Sequence, residues 1–505
     1  MSGLSLSGKN WIYKKYDNQY VTYLKENFSL DEIVAKLISI RNIKKEYVES
    51  FLKPSIKDLI PNPDILKDMD KTVRRIIKAI NNKEKIAIFG DYDVDGASST
   101  ALIGNYFSIL NQKFEIYIPD RTAEGYGPSI DSFKKLIEKN IKLIITVDCG
   151  TMSFKAIEYA SKNNVDVIVL DHHQSEINLP KAFSIINPNR FDDNSNLNYL
   201  CAAGVCFMTL VSLNSNLRKI NWFINNSIKE PNLLEFLDLV SLGTICDVVP
   251  LIGLNRAIVK QGLKILNKKK NLGLKTLIDV CKIEKTASTY HCGYVIGPRI
   301  NAGGRVGKCT HGANLLLNKN PKESFKIATE LEQFNADRKK IEKELLNVVL
   351  NTINENIKDP VLILVGKNWH EGIIGIIASR LKDKFNKPTI IISLKNKVGK
   401  ASARSIAGFD IGSVILAAIQ DKILIKGGGH KMAGGFSINE ENIENFKNFI
   451  IKKFKKNKND NLNKNNLYLD SMISPSALNL EFFNKVEILS PFGSGNPEPK
   501  FKLEN

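Results

Sequence analysis

Three carboxylates stand at alternate positions in Gly90-Asp91-Tyr92-Asp93-Val94-Asp95-Gly96, straight after the apolar run Ile86-Ala87-Ile88-Phe89. Alternate residues of an extended segment point the same way, so Asp91, Asp93 and Asp95 are expected to crowd one pocket. Uncompensated, they would repel one another. A divalent cation relieves that repulsion, because carboxylate oxygens suit Mg2+, Mn2+ and Ca2+. An acidic surface turn is the plainer alternative for this stretch taken alone. A calcium loop of the EF-hand type is excluded, since the twelfth position is Leu102 where Glu is needed. Further along, Asp148 opens Asp148-Cys149-Gly150, and Asp171-His172-His173 follows another apolar run. Asp247 stands alone among apolar residues in Thr244-Ile245-Cys246-Asp247-Val248-Val249. Buried carboxylates seldom go unpaired, so Asp247 is either a helix or turn cap or a further ligand. Mixed imidazole and carboxylate ligation leans towards Mn2+ over Mg2+.

Elements must gather these residues. Strand-like runs at 85–89, 114–118, 142–147, 165–170 and 183–186, with helices in most of the gaps, predict a doubly wound parallel sheet. The carboxyl ends of such strands share one edge. Asp93, Asp95, Asp148, His172 and His173 therefore converge although they are far apart in the chain. A helical lead-in over 1–82 ends in an amphipathic helix at 69–80, and the sheet domain occupies 83–250. A helical connector at 251–358 contains the Gly/Arg-rich stretch 297–307 and a long helix over 321–354. A nucleotide P-loop is not supported there, because Ala302 and Cys309 miss two required positions.

A second, smaller α/β domain is expected at 359–450, with strands at 361–365 and 389–393 and a helix at 372–384. Two polar stretches mark it: Ala401-Ser402-Ala403-Arg404-Ser405, and Gly427-Gly428-Gly429-His430-Lys431. Consecutive glycines can turn their N–H groups inward around an anion, with His430 and Lys431 adding charge. A glycine-rich hairpin is the alternative. Residues 451–505 read as a flexible Lys/Asn linker (452–466) followed by a rigid Pro/Gly turn cluster (489–499).

Length and charge narrow the class. At 505 residues several domains with large cores are expected. Lys and Arg (72) outnumber Asp and Glu (53) for a net charge of +19, which favours a polyanionic partner. The seven cysteines form no C-x-x-C pair, and their odd count points to reduced thiols in a cytosolic protein. Residues 1–16 lack a signal-peptide core and no run reaches membrane-span length, so a soluble cytoplasmic protein is expected.

The motifs at 90–96, 147–150, 171–173, 243–250, Gly-Gly-Gly-His at 427–430 and Pro-Phe-Gly-Ser-Gly-Asn-Pro at 491–497 occur together in this order. In that joint pattern the chain resembles the DHH phosphoesterase superfamily, and within it the bacterial single-strand-specific exonucleases. The resemblance implies a two-metal site for Mn2+ or Mg2+ built from Asp93, Asp95, Asp148, His172, His173 and Asp247. Catalytic roles fall on Asp93, Asp148 and His173, the last acting on the scissile phosphate more than on metal. Phosphate-binding candidates are Arg121, Arg299, Arg305, Arg338, Ser402, Arg404, Gly428, Gly429, His430 and Lys431, several of them in the DHH-associated domain that holds the strand. The implied activity is 5′-to-3′ hydrolysis of single-stranded DNA in repair and recombination. A monomer is implied, with single-stranded DNA-binding protein and a helicase as candidate partners. The alternatives are a DHH hydrolase acting on oligoribonucleotides or cyclic dinucleotides, and a non-catalytic DNA-binding scaffold, which typically lacks metal ligands that are present here. Relatives continue past 491–497 into an OB-fold, whereas only Lys500–Asn505 remain here, so an incomplete OB-like segment is expected.

Overall fold

Five apolar runs become one parallel sheet in the computed structural model, which describes residues 5, 8–121, 123–353, 358–456 and 466–504. In spatial order the strands are Phe114–Tyr117, Ile86–Phe89, Leu143–Val147, Asp166–Leu170 and Ser184–Ile186. Their bounds follow the sequence expectation closely, because uninterrupted Val, Ile and Leu suit strands buried on both faces. Alternate residues serve two cores. Ile86, Ile88, Ile145 and Ile168 pack with the Met69–Asn81, Val94–Ile109 and Ala202–Lys219 helices, while Ala87, Phe89, Ile144 and Val167 face the Ile130–Glu138 and Phe154–Lys162 helices. The sheet is thus doubly wound. The chain leaves Ile86–Phe89 for one neighbour and returns to the other, which makes the carboxyl ends of Ile86–Phe89 and Leu143–Val147 the topological switch point.

The chain divides into two compact units: Lys14–Asn335 together with the segment from Leu469 onward, and Ala336–Tyr468 together with the residues up to Tyr13. The Pro321–Thr352 helix runs from the first into the second. In the first unit the lead-in helices pack Val21, Leu37 and Phe51 with Leu489. Arg256, 1% exposed, anchors that joint. Its guanidinium donates to the carbonyls of Phe51 (2.7 Å), Leu489 (2.8 Å), Ser490 (3.0 Å) and Pro491 (3.2 Å). The Pro/Gly cluster is therefore a packed turn, pinned also by the buried Asn496 amide on Leu489 (2.8 Å) and Pro491 (2.9 Å). A short parallel pair, Ser471–Ile473 with Phe501–Leu503, is the regular β-structure of the C-terminal segment among the described residues.

The second unit holds a mixed sheet in the order Lys426–His430, Ala433–Asn439, Val398–Arg404, Thr389–Lys395, Leu362–Lys367. Its last pair is parallel and the others antiparallel. The glycine stretch departs from the expected anion cradle. Gly427, Gly428 and Gly429 are extended and paired with Phe436, Gly435 and Gly434, so their backbone is committed to a hairpin ladder. Within the expected 452–466 linker, 452–456 close the Ile443–Lys456 helix, Asn466 begins a strand, and 457–465 lie outside the described residues.

Candidate active site

Each site-bearing turn is tied to the next strand by one further backbone hydrogen bond. Gly90 donates to the Tyr117 carbonyl (3.0 Å), Asp148 to that of Leu170 (3.0 Å) and Asp171 to that of Ile186 (3.1 Å). The turns inherit the rigidity of the sheet edge. The three carboxylates after Phe89 are not an extended alternation, which corrects the expectation. Asp93 caps the Val94–Ile109 helix by accepting from the Gly96 N–H (3.0 Å), and Asp95 already lies in its first turn. Small polar side chains compete for such N–H groups, so the helix starts before the alternation is complete. Gly96 is required by the turn, since a Cβ there would lie 2.7 Å from the Asp91 Cβ.

Asp148 sits in the left-handed region (φ 60°), and Asp247 takes the C-cap position of the Leu237–Cys246 helix. Their oxygens meet at His172. Its Nε2 lies 3.4 Å from Asp148 Oδ1, 3.6 Å from Asp247 Oδ2 and 3.9 Å from Asp95 Oδ2. Three groups of donor atoms are close enough to share a cation: Asp148, His172 and His173; Asp95, His172 and Asp247; and Asp91, Asp93 and Asp148. All six residues expected as metal ligands are thus gathered, and Asp91 joins them. Asp95 also accepts from the N–H groups of Ala202 (2.7 Å) and Ala203 (3.0 Å) at the start of the Ala202–Lys219 helix; burial outweighs their pull towards the charged form and raises Asp95 above the usual carboxylate range.

Electrostatics show what this cluster lacks. Burial, then the charges of neighbouring aspartates, hold Asp91 and Asp148 well above the usual carboxylate range. The same causes push Asp247 up to about 8. Burial holds the His172 imidazole below its ordinary value. Asp91 Oδ1, Asp148 Oδ1, Asp247 Oδ2 and His172 Nε2 are all buried without a hydrogen-bond partner. Unpartnered acceptors of this kind, clustered and repelling one another, fit a divalent cation. Carboxylate and imidazole donors suit Mn2+ and Mg2+.

Asp171 is the residue that motif reading undervalued. Its Oδ1 accepts from His173 Nδ1 (2.8 Å) and from the N–H groups of His172 (2.8 Å) and His173 (3.2 Å), and Oδ2 accepts from the Thr151 N–H (3.0 Å). Burial alone would raise Asp171, but the hydrogen bond and charge of His173 outweigh it and keep the carboxyl well below its ordinary range. Burial alone would lower His173, yet Asp171 pushes it up to about 9. Tyr126 and Asn187 were also missed. The Tyr126 hydroxyl donates to the Asp148 carbonyl (3.0 Å) and lies 3.4 Å from His173 Nε2, while the Asn187 amide donates to the His173 carbonyl (2.8 Å). Both stand in stretches without a metal-ligand pattern.

The cationic candidates divide. Arg121 lies over the Tyr92 ring (5.2 Å), and the charges of Arg121 and Arg305 both act on the Tyr92 hydroxyl. Arg299 pairs with Glu332, and Arg338 with Glu342 (2.6 Å), which also binds Arg380. In the second unit, register puts Ser402 opposite Gly435, itself opposite Gly428, and Arg404 opposite Ala433, itself opposite His430. Paired antiparallel residues share a face, so Ser402, Arg404, Gly428 and His430 border one glycine-floored surface. Arg404 donates to Ser402 Oγ (3.2 Å) and to the Ala403 carbonyl (2.9 Å). Gly429, opposite Gly434, belongs to the other face, and Lys431 to the turn between the strands.

Residues 85–244 match the DHH family N-terminal domain, 358–456 the DHHA1 domain and 469–505 the RecJ OB domain. The chain is 34% identical to the single-stranded-DNA-specific exonuclease RecJ of Escherichia coli over 462 residues, covering 89% of this chain and 80% of that protein. It is 31% identical to the Bacillus subtilis protein of the same name, covering 99% of this chain but spanning only 62% of that relative's length. The crystal structure of Thermus thermophilus RecJ with Mn2+ superposes with a TM-score of 0.83 at 26% identity, over 98% of this chain and 69% of that one. The same protein with Mg2+ gives a TM-score of 0.76. With these matches and a cation-fitting cluster at the switch point of its sheet, the chain belongs to the RecJ family of DHH phosphoesterases.

Proposed function

We propose that the protein is a metal-dependent exonuclease that hydrolyses single-stranded DNA, releasing nucleotides from the 5′ end. The observation that carries this reading is the buried cluster of unpartnered donors, Asp91, Asp148, Asp247 and His172. When bound there, Mn2+ or Mg2+ supplies Lewis acidity towards a water and the phosphate oxygens. Asp93, Asp95, Asp148, Asp247 and His172, with Asp91, would hold the cations. His173, kept protonated by Asp171, offers a charge-assisted hydrogen bond to a phosphate oxygen. Arg121 and Arg305 neutralise phosphate charge beside Tyr92, and Ser402, Arg404 and His430 hold the strand in the second unit. The glycine floor there lets a sugar-phosphate backbone approach closely, since a Cβ on Gly428 would meet nothing within 4 Å.

A cytoplasmic monomer acting in repair and recombination follows from the same resemblance, with single-stranded DNA-binding protein and a helicase as partners. The test is loss of label from a 5′-labelled single strand with Mn2+, beside matched duplex, short RNA and a cyclic dinucleotide. Single-strand DNA is expected to be consumed fastest. Asp148→Ala should abolish cleavage while the circular dichroism spectrum is unchanged; faster turnover of RNA or cyclic dinucleotide would replace the reading with the corresponding hydrolase.

A further inference from the structure

Cys246 and Val248, the chain neighbours of Asp247, line a cavity of about 410 Å³ that the reaction chemistry does not use. That volume is within the roughly 300–1,000 Å³ typical of ligand sites. One wall is the segment that leaves Asp247. Val248 follows it directly, 67% exposed and at φ 61°, a conformation rare for a β-branched residue and characteristic of functional segments. The opposite wall is the Pro/Gly turn, joined to the same segment by the Leu251 N–H on the Ser494 carbonyl (2.8 Å). Gly493 allows that approach, because a Cβ there would lie 2.8 Å from Leu251 Cδ1. The third wall is aromatic. Tyr290 and Tyr294 stack on each other (5.3 Å between centroids, 28° between planes) yet remain 59% and 74% exposed.

Exposed aromatic and apolar groups gathered at one cavity mark a binding surface rather than scattered surface hydrophobics. We propose that this cavity seats a nucleobase of the single strand, stacked on Tyr294, next to the phosphate that Asp247 helps to process. The charge pattern favours a base over a phosphate. Glu498 is the charged residue in the lining; it repels a phosphate and tolerates a neutral base. Aromatic platforms accept any base because every base has a π-face, so the site adds affinity without sequence preference. The inference deepens the nuclease reading and rests on it.

The test uses the full chain with Mn2+ and 5′-labelled oligonucleotides carrying one abasic site, moved position by position from the labelled end. One position close to the cleaved end should raise KM about 5- to 100-fold. Tyr294→Ala should raise KM for the intact strand by a similar factor and lose its sensitivity to that abasic site, whereas Tyr294→Phe and Tyr294→Trp should retain both. The emission of Tyr294→Trp should be quenched when an oligonucleotide binds without metal. Normal cleavage by the parent protein with a flat abasic scan overturns the base site and leaves the nuclease reading standing. If the parent protein cleaves no strand, the nuclease reading fails, and absence of quenching in Tyr294→Trp then overturns the base site by its own readout.

Discussion

Asp171 touches no expected substrate atom, yet it fixes two of the histidine contacts that matter. It anchors His173 through Nδ1 and receives both histidine N–H groups. Outer-shell partners of this kind typically contribute about 10- to 100-fold in metal affinity or activity. Asp171→Asn should therefore lower kcat by that factor and bring His173 down from about 9 towards its ordinary value; a pH–rate profile unchanged in shape would count against the role. The carboxylates make a second prediction. Asp247 titrates near 3.8 when unfolded and near 8 in the metal-free fold, so between those values the folded state holds a proton that the unfolded chain lacks. Stability of the metal-free protein then falls as pH rises through that window. Metal binding needs these ligands deprotonated, so Mn2+ should raise Tm more at pH 8 than at pH 5.5. Asp247→Asn should shrink the difference without abolishing it, since Asp91 and Asp148 are also raised; an equal Mn2+ gain at both pH values in the parent protein would sink the assignment.

Packing between elements decides where Asp95 points. The Leu237–Cys246 helix crosses the first turn of Val94–Ile109 at Gly243, where a Cβ would lie 2.5 Å from Asp95 Oδ1 and 2.9 Å from the Ala203 Cβ. Gly243→Ala should cost about 1–3 kcal/mol through overpacking, and should reduce activity because the atom displaced is a site carboxylate. Gly435 on the second unit's sheet is the contrasting case, since its Cβ would meet only the Ala401 carbonyl at 3.5 Å. Gly435→Ala should leave thermal stability within about 0.5 kcal/mol. Comparable Tm losses in the two variants would argue that crowding at Asp95 is not what Gly243 avoids.

Over the molecule as a whole, a net charge of +19 coexists with a strongly acidic pocket, so long-range attraction and local chemistry carry opposite signs. In the proposed reading, nucleic acid would be drawn by the first and processed by the second. Single-strand affinity should fall with salt with a log–log slope near −0.7 per phosphate contacted. Arg404→Ala should reduce the magnitude of that slope by roughly 0.7, measured by binding isotherms between low and moderate salt, and raise KM more than it lowers kcat. A kcat defect at unchanged KM would move Arg404 from strand holding to chemistry. Among the described residues no helix is long and apolar enough to cross a membrane.

The five parallel strands, the carboxyl edge they share and the meeting of Asp93, Asp95, Asp148, His172 and His173 there were legible in the sequence, because period, β-branching and the end of an apolar run are local properties; Asp247, at the end of a helix, joined them only through the family resemblance. The sequence also carried the Met69–Asn81 and Pro321–Thr352 helices closely. Tertiary structure alone decided the rest. That Asp93 caps a helix, that Glu332 and Glu342 claim Arg299 and Arg338, and that Gly428 and Gly429 lie on opposite faces of a ladder depend on a choice of partner. Partners distant in the chain leave no trace in local periodicity, whereas a strand's own face does.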